Sequence, residues 1–408
     1  MKSPQSDHPL RWRMLILLSI SMVFSLTIWF STNAIAPALK SDMGFSNSDI
    51  AWLTIAVQLG FVFGTLFLAV SNLSDMMNTR KIFSIFALLS GLTNLGLLFV
   101  PEDFFIFFSL RLLSGFLLGG VYPPGMKIIS GWFNSGRGFA IGVMVSALTL
   151  GSGSPHLLSS IFVSHWELTI YLSTLLATLS SIIVYFVVKD GPLDVPARQF
   201  KPSYILDTVK IKSTRLIFFG YLGHMWELYA MWTWLPIFLF VIYGNDVVFG
   251  VLNSSSLISF FVFVSGAFGC IIIGMLSERF GRTVVIIISM LVSGVVSLFI
   301  GFIPIDWTLL ISLVSIIWGF FVVADSAQFS TGLTELVEDS YRGTALAFQM
   351  GMGFLITIFP IKILPIISNS LGWGYAFAFL SIGPFLGIIS MITLRKLPES
   401  SSMAMGRK

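Results

Sequence analysis

Residues 189–215 read KDGPLDVPARQFKPSYILDTVKIKSTR, a polar segment with three prolines in an otherwise apolar chain. On each side of this segment lie six stretches with the length and apolar character of a membrane-spanning helix, about 20 residues. The predicted spans are 14–36, 50–72, 82–100, 104–126, 138–163, 168–188, 216–242, 248–276, 284–304, 308–330, 343–366 and 373–394. We therefore predict an all-α membrane protein with an N-terminal half (1–188), a central loop (189–215) and a C-terminal half with a tail (216–408).

The composition supports this fold class. Charged residues make up 10% of the chain, against about 25% in a typical soluble protein, and 56% of the residues are hydrophobic. A water-soluble fold of 408 residues cannot be covered by so few charges. The single cysteine, Cys270, excludes intramolecular disulfides and cysteine-based metal clusters, and the four histidines are scattered. We expect no metal, no cofactor and no nucleic-acid partner.

The basic residues predict the orientation. If the N-terminus is cytoplasmic, 20 of the 23 Lys and Arg residues fall in cytoplasmic segments, as the positive-inside rule requires. We expect a multi-pass protein of the cytoplasmic (inner) membrane with both termini in the cytoplasm. Cleavage of the first span after Ala36 is an alternative, but its apolar run is longer than a signal-peptide core and Pro37 would follow the cut.

Two loops of the chain are similar to each other. Residues 71–81 read SNLSDMMNTRK and residues 274–283 read GMLSERFGRT, with a Leu-Ser-acid core repeated at an offset of 203. The Arg-Gly-x-Ala sequence at 137 recurs at 342, and Pro155 recurs as Pro360, both at an offset of 205. These matches indicate two six-helix halves related by duplication, which is an architecture of membrane transporters.

With these loops the chain resembles the major facilitator superfamily over essentially its whole length. The loop signature of that family, Gly-x-Leu-Ala-Asp-Arg-x-Gly-Arg-Lys, is followed closely by residues 274–283, whereas Ser71, Met76 and Asn78 depart from it in the first copy. The resemblance implies twelve helices in two pseudo-symmetric six-helix bundles, with spans 1, 4, 7 and 10 around a central cavity. It also implies a transporter in the lipid bilayer, not an enzyme, with a small-molecule substrate and with protons as the expected coupling ion. We expect a monomer.

Each of the two loops places an acidic residue before basic ones at the end of a span. Such pairs could hold neighbouring helices together at the cytoplasmic face, and breaking them would open the bundle inward. The candidate gating residues are Asp75, Arg80, Lys81, Glu278, Arg279 and Arg282. Alternatively, the arginines only determine the topology.

Several polar residues lie inside the predicted spans. A charge at the bilayer centre costs about 2.5 kcal/mol or more, so such groups usually line a cavity or pair with one another. The candidates for substrate binding or proton coupling are Arg111, His156, Tyr221, His224, Glu227 and Asp325. The charged members have no charged counterpart at the equivalent position of the other half, which favours a site over a shared scaffold.

The roles of these residues are left open by the sequence. Glu227 could carry the proton, while Arg111 cannot release its own and suits an anionic substrate group or a counter-charge for Glu227. Arg111 could instead be a structural tie, His156 could bond a carbonyl freed by Pro155, and Asp325 could join a network with Lys127. The glycine pairs Gly60/Gly64, Gly115/Gly119 and Gly138/Gly142 predict close helix packing.

We expect a proton-coupled secondary transporter that moves a small anionic or zwitterionic organic solute by alternating access. A drug and proton efflux antiporter is the alternative, because Gly142, Gly151, Ser154 and Pro155 match part of the span-5 signature of that subgroup. A nitrate porter is disfavoured because spans 2 and 8 contain no arginine. A membrane enzyme would need a nucleophile or metal constellation, and a sensor of the same fold would bind its ligand without moving it.

Overall fold

A computed structural model describes residues 8–71, 73, 77–133, 136–193, 209–338 and 342–408. These residues are almost entirely helical. The helices are α1 (Arg11–Leu26), α2 (Ser31–Ala34), α3 (Ala36–Met43), α4 (Asn47–Ser71), α5 (Thr79–Gly96), α6 (Phe104–Leu118), α7 (Tyr122–Ser130), α8 (Arg137–Ile161), α9 (Trp166–Phe186), α10 (Lys212–Tyr243), α11 (Ser254–Phe280), α12 (Arg282–Phe299), α13 (Thr308–Ala324), α14 (Ser326–Leu336), α15 (Arg342–Leu371), α16 (Trp373–Leu380) and α17 (Ile382–Arg395). The other regular elements are two 3₁₀ segments, Ile300–Phe302 and Pro398–Gly406, and a hairpin of β1 (Val247–Val248) and β2 (Leu252–Asn253).

These helices form the twelve predicted spans. Ten segments of the described chain are long and apolar enough to cross a membrane: α4, α6–α7, α8, α9, α10, α11, α12 with its 3₁₀ turn, α13–α14, α15 and α16–α17. The interrupted α1–α3 forms span 1 and α5 forms span 3. We call the end of the bundle that carries His8 and Lys408 the terminal face, and the end that carries Glu102 and Asp306 the opposite face.

The two bundles repeat the same helix contacts. Span 2 packs on span 4 as span 8 packs on span 10, and span 1 packs on span 6 as span 7 packs on span 12. The pair of spans 3 and 6 corresponds likewise to spans 9 and 12. Spans 5 and 8, together with spans 2 and 11, pack across the boundary between the halves. The pseudo-symmetric pair of six-helix bundles is therefore confirmed.

Glycines bring spans 2 and 4 into backbone contact. A Cβ atom on Gly60 would lie 2.0 Å from the carbonyl oxygen of Leu112, and one on Gly115 would lie 2.0 Å from that of Val57. The same device recurs in the other half, where Gly319 approaches the Val262 carbonyl. The close packing predicted for the first two glycine pairs is confirmed. It is wrong for Gly142, which faces open space.

Spans 4 and 10 are broken at equivalent positions. Helix α6 ends at Leu118 and α7 begins at Tyr122, while α13 ends at Ala324 and α14 begins after Asp325. The repeat offset of 205 places Gly120 opposite Asp325. Each break separates a short helix at the terminal face, α7 or α14, from the longer helix that precedes it in the same span. The span-8 prediction was also inaccurate at its start, because the hairpin occupies residues 247–253 and the helix begins at Ser254.

Candidate functional site

A cavity of about 270 Å³ lies between the two bundles. Its walls come from spans 4, 7 and 10, as the resemblance implied, and also from spans 2, 5 and 11. No described residue of span 1 lines it, contrary to expectation, because the rings of Phe61 and Phe354 cover Trp29 of that span at centroid distances of 4.9 and 5.6 Å. The volume lies just below the range for small-molecule sites, roughly 300–1,000 Å³.

The cavity opens toward the terminal face. Lining residues at the terminal-face ends of spans 4, 10 and 11 are partly exposed, among them Met126, Ser330 and Met350. Residues at the other end of the cavity are sealed, as Tyr229 and Trp232 are 4% and 1% exposed. This gradient of exposure identifies a bundle that is open on one side only.

Contacts between the bundles close the opposite face. The Gln58 carboxamide accepts a hydrogen bond from the Thr357 hydroxyl at 2.5 Å, and Asn33 Nδ2 donates to the Thr233 carbonyl at 3.0 Å. Nearer the surface, Lys362 Nζ donates to Ser48 Oγ at 2.5 Å. These bonds join spans 2 and 11 and spans 1 and 7, so opening this face requires all of them to separate.

The cavity wall is aromatic and uncharged. Its aromatic residues are Phe61, Tyr122, Tyr221, Tyr229, Trp232 and Phe354, and its methionines are Met126, Met225 and Met350. The polar lining residues are the three tyrosines, Thr149, Ser326, Ser330 and Gln349. Among the described residues, no charged side chain lines the cavity. The arrangement suits a small, largely apolar ring system with a few hydrogen-bonding groups.

Gln349 was not among the residues singled out from the sequence. Its side chain is 1% exposed, lines the cavity, and its Nε2 atom has no hydrogen-bond partner in the described part of the molecule. A buried amide without a partner costs about 1–3 kcal/mol, which a bound solute with an acceptor oxygen would recover. A lone glutamine in an apolar span is the sequence signal that could have found it.

Arg111 lies outside the cavity, inside the N-terminal bundle. Its guanidinium donates to the Trp29 carbonyl at 2.6 Å, to Ser31 Oγ at 3.1 Å and to Asn94 Oδ1 at 3.4 Å. Trp29 belongs to the turn between α1 and α2, where the helix is interrupted and main-chain carbonyls need donors. Arg111 therefore ties spans 1, 3 and 4 together, as the structural alternative for this residue supposed.

Glu227 is likewise buried in its own bundle. Its carboxylate accepts hydrogen bonds from Ser293 Oγ and from Trp318 Nε1, each at 2.8 Å, and the side chain is 2% exposed. These partners belong to spans 9 and 10. The structure does not bring Arg111 and Glu227 together. In this structure Arg111 is therefore not the counter-charge of Glu227, which was one of the two roles suggested for it.

His224 and Asp325 form a buried pair beside the cavity. His224 Nδ1 lies 2.9 Å from Asp325 Oδ1, and both side chains are 2% exposed. His224 Nε2 lies 2.7 Å from Ser326 Oγ, and Ser326 lines the cavity. The pair joins span 7 to the break in span 10. The sequence identified both residues but gave no signal that they meet.

The two other candidates, Tyr221 and His156, differ in their relation to the cavity. Tyr221 is the only one of the six that lines it, with its ring 6.0 Å from that of His224. His156 is 1% exposed and stacks on Phe263 at 5.6 Å, and its Nε2 atom has no hydrogen-bond partner among the described residues. The expected bond from His156 to a carbonyl freed by Pro155 is therefore not made by that nitrogen.

The gating candidates occupy the terminal face. Arg80 contacts Asp190 at 3.0 Å, which ties spans 3 and 6, and Arg282 forms a bidentate pair with Glu335 at 2.6 Å, which ties spans 9 and 10. Each pair joins two spans of the same bundle, the first pair in the N-terminal bundle and the second in the C-terminal bundle. Arg279 lies over the ring of Phe280, and Lys81 is exposed. Asp75 lies outside the described residues.

Glu278 and Arg282 also line a crevice of about 140 Å³ between spans 5 and 8. Gly138 and Gly142 form its other wall, which explains why no close packing occurs there. The second loop thus reaches the boundary between the bundles. Its arginine, however, pairs with Glu335 of span 10 rather than with the adjacent acid.

The described residues form two repeated bundles of membrane spans with a cavity of about 270 Å³ at their boundary, an arrangement typical of membrane transporters. A profile of the Major Facilitator Superfamily matches residues 18–269 and 250–404, and the chain belongs to that family. Membership confirms a multi-pass membrane transporter and not an enzyme.

Known proteins resemble this chain at low identity. A gallate transporter of Pseudomonas putida is 22% identical over 420 residues, covering 94% of this chain and 91% of the relative. An uncharacterized transporter of Buchnera aphidicola subsp. Schizaphis graminum is 22% identical over 276 residues, 65% of this chain and 64% of the relative. A crystal structure of a variant of the nucleoside transporter NupG superposes with a TM-score of 0.69 at 17% identity, over 94% of this chain and all of that one. The structural likeness shows the shared fold.

Proposed function

We propose that this transporter moves a small aromatic organic solute across the cytoplasmic membrane by alternating access, driven by protons. The single observation that supports it is the aromatic cavity at the boundary of the two bundles, open on one side and sealed on the other. A site that is reached from one side at a time is the requirement for coupled transport.

The cavity chemistry supports this solute class. Six aromatic side chains can stack on a ring, while the hydroxyls of Ser326 and Ser330 and the carboxamide of Gln349 can bond its oxygen atoms. Gallate, after which one relative is named, is an aromatic acid. The sequence favoured an anionic or zwitterionic solute, and in this cavity an acidic group would be held by neutral donors.

The test is thermal stabilisation of the detergent-purified protein, followed by uptake into proteoliposomes. Gallate and its uncharged methyl ester form a matched pair that differs in charge, and uridine represents the nucleosides carried by the structural relative. A bound solute raises Tm by mass action. We expect the aromatic pair to stabilise the protein and Gln349→Ala to abolish the shift, with Ser401→Ala at the exposed tail as the control. No shift with either ring compound would contradict the solute class.

We further propose that the terminal face is cytoplasmic. The support is the distribution of basic residues, because 20 of the 23 Lys and Arg residues fall in sequence segments that are assigned to that side. Reporter fusions after Glu102 and Asp306 should then report the outside. A cytoplasmic signal at either position would contradict this orientation.

The second loop is proposed as part of the gate at the terminal face. Glu278 lines the crevice between spans 5 and 8, where a change in charge alters the contact between the bundles. Glu278→Gln should increase the labelling of a cysteine placed in the cavity from the terminal side. Unchanged labelling would leave the loop as a topology signal.

An efflux antiporter remains the second candidate. The observation in its favour is the trio of methionines in the wall, since flexible thioethers suit binding surfaces that accept varied apolar ligands. Uptake into proteoliposomes under an imposed proton gradient distinguishes the two: a symporter accumulates solute when the outside is acidic, whereas an antiporter accumulates it when the lumen is acidic.

A further inference from the structure

We infer that His224, Asp325 and Ser326 form the proton site of the transporter, with the Ser326 hydroxyl as its connection to the cavity. This inference rests on the proposed function and names the groups that couple it to protons. It replaces Glu227, the carrier favoured by the sequence, with a pair at the break in span 10.

Access to the cavity is the first argument. In coupled alternating access, proton and solute must reach their sites from the same side in each state, so the proton site has to communicate with the cavity. Ser326 lines the cavity and its Oγ lies 2.7 Å from His224 Nε2. Glu227 does not line it and its two carboxylate oxygens are occupied by Ser293 and Trp318.

The distances bring three groups within reach of proton transfer. His224 Nδ1 lies 2.9 Å from Asp325 Oδ1, an oxygen with no hydrogen-bond partner among the described residues, and this carboxylate favours the tautomer that carries its hydrogen on Nδ1. In that neutral ring Nε2 is an acceptor for the Ser326 hydroxyl. When a donor in the cavity gives a proton to Ser326 Oγ, the hydroxyl passes its own hydrogen to Nε2. The ring becomes imidazolium, the serine is restored, and one proton has moved from the cavity to the histidine.

The surroundings of the pair contain few other titratable groups. Tyr221 and Glu227 lie on the same helix, Cys270 of span 8 and Glu227 are within electrostatic reach of Asp325, and Tyr122 of span 4 is within reach of Tyr221. None of these supplies a cation in the described residues. Asp325 is therefore compensated best when His224 is protonated.

Protonation also acts on the conformation. The imidazolium–carboxylate pair links His224 of span 7 to Asp325, the residue that directly precedes α14. This short helix forms one wall of the cavity opening. Loss of the proton leaves a buried carboxylate without a counter-charge and weakens this link. We expect protonation to favour the arrangement with the cavity open to the terminal face. An acidic solute that bonds Ser326 would in turn favour the protonated histidine.

The test measures conformation without any solute. In a Cys270→Ala background, the maleimide labelling rate of Met350→Cys in the cavity is divided by that of Ser401→Cys on the exposed tail, which removes the pH dependence of the reagent. The ratio should rise about threefold or more from pH 8 to pH 5.5. It should become flat in His224→Gln and in Asp325→Asn, and should persist in Glu227→Gln and in the cavity control Ser330→Ala.

Ser326→Ala tests the relay itself. In proteoliposomes containing a pH-sensitive dye, with gallate as the probe, this variant should slow proton entry during uptake, whereas Ser401→Ala at the exposed tail should not. A pH-dependent ratio that persists in both His224→Gln and Asp325→Asn, or a flat ratio in the parent, would overturn the inference. A pH-dependent ratio without uptake of gallate would instead contradict the proposed solute and leave the proton site intact.

Discussion

In each bundle a buried charged side chain joins the same set of three equivalent spans, and the charge has the opposite sign in the two bundles. In the N-terminal bundle, Arg111 of span 4 binds spans 1 and 3, and in the C-terminal bundle, Glu227 of span 7 binds spans 9 and 10. Spans 1, 3 and 4 correspond by the repeat to spans 7, 9 and 10. The charge therefore sits on different members of the trio, which is why a comparison of aligned positions finds no counterpart for either residue.

The difference between the two ties follows from the backbone they support. Span 1 is interrupted, and Arg111 donates to the Trp29 carbonyl in the interruption. Span 7 is continuous from Lys212 to Tyr243, and Glu227 accepts only from side chains. A buried cation serves where carbonyls are exposed, and a buried carboxylate serves where an indole N–H needs an acceptor. Buried charge in a transporter span is thus not by itself a sign of transport chemistry.

The largest expected effect is that of Arg111→Ala. It leaves the Trp29 carbonyl without this donor and removes a large side chain from a closed interior, so we expect a loss of about 3 kcal/mol or more of unfolding free energy. Arg111→Lys should recover part of it, because an ammonium cannot reproduce the planar fork. Tm in detergent measures both. Equal Tm values for the parent and Arg111→Ala would show that Arg111 does not stabilise the N-terminal bundle.

A smaller loss is expected for Glu227→Ala, about 1–2 kcal/mol. Ser293 Oγ retains an acceptor, the Met290 carbonyl at 3.3 Å, so only the Trp318 indole N–H loses its partner. Glu227→Gln should lie between the parent and the alanine variant. Tm again provides the measurement, and a Glu227→Ala loss larger than that of Arg111→Ala would reverse the order argued here.

The ion pairs at the terminal face should stabilise their bundles less than the buried charges do. Arg282 and Glu335 are 12% and 25% exposed and bidentate, whereas Arg80 and Asp190 are 27% and 48% exposed with one contact. We expect Arg282→Ala to cost about 1–2 kcal/mol and Arg80→Ala at most about 1 kcal/mol. Added salt should reduce the Arg80 effect most. The reverse ranking in Tm would show that the loops are not equivalent ties.

The smallest effect is the coupling between the two buried ties. Since Arg111 and Glu227 share no partner and lie in different bundles, the losses in Arg111→Ala with Glu227→Ala should add within about 0.3–0.5 kcal/mol. A double variant more stable than either single variant would instead mean that the charges neutralise each other. Thermal unfolding of the four proteins of the cycle provides the answer.

The sequence predicted the fold well because the signals for spans are local. Apolar length, basic loops and the repeated Leu-Ser-acid core need no knowledge of contacts, and all twelve spans follow from them. The interruptions at Gly120 and Asp325 were missed. Pro123 and Pro124 at the start of α7 mark the first in the sequence, whereas no proline marks the second. Hydropathy describes a helix as a uniform segment and carries no information on where its hydrogen bonds break.

The site was predicted less well because its residues are joined by contacts rather than by spacing. His224 and Asp325 were recognised by their cost in an apolar span, but their pairing depends on the rotation of spans 7 and 10. The aromatic wall carries no local signal that separates it from lipid-facing or packing residues, whereas Gln349, a lone glutamine in an apolar span, had such a signal and was overlooked. The sequence shows how deep a residue lies along a membrane-spanning helix. It does not show which neighbouring helix the side chain faces.

The equivalent breaks in spans 4 and 10 affect how motion in this protein should be measured. Helices α7 and α14 are short segments that can pivot on residues 119–121 and 325, while glycine contacts hold spans 2 and 4 in one body. Spin labels on α7 and α14 would report the pivot and the rocking of the halves as one distance change. Labels at the terminal-face ends of α4 and α15 would isolate the rocking. The difference between the two distance distributions then measures how far the short helices swing.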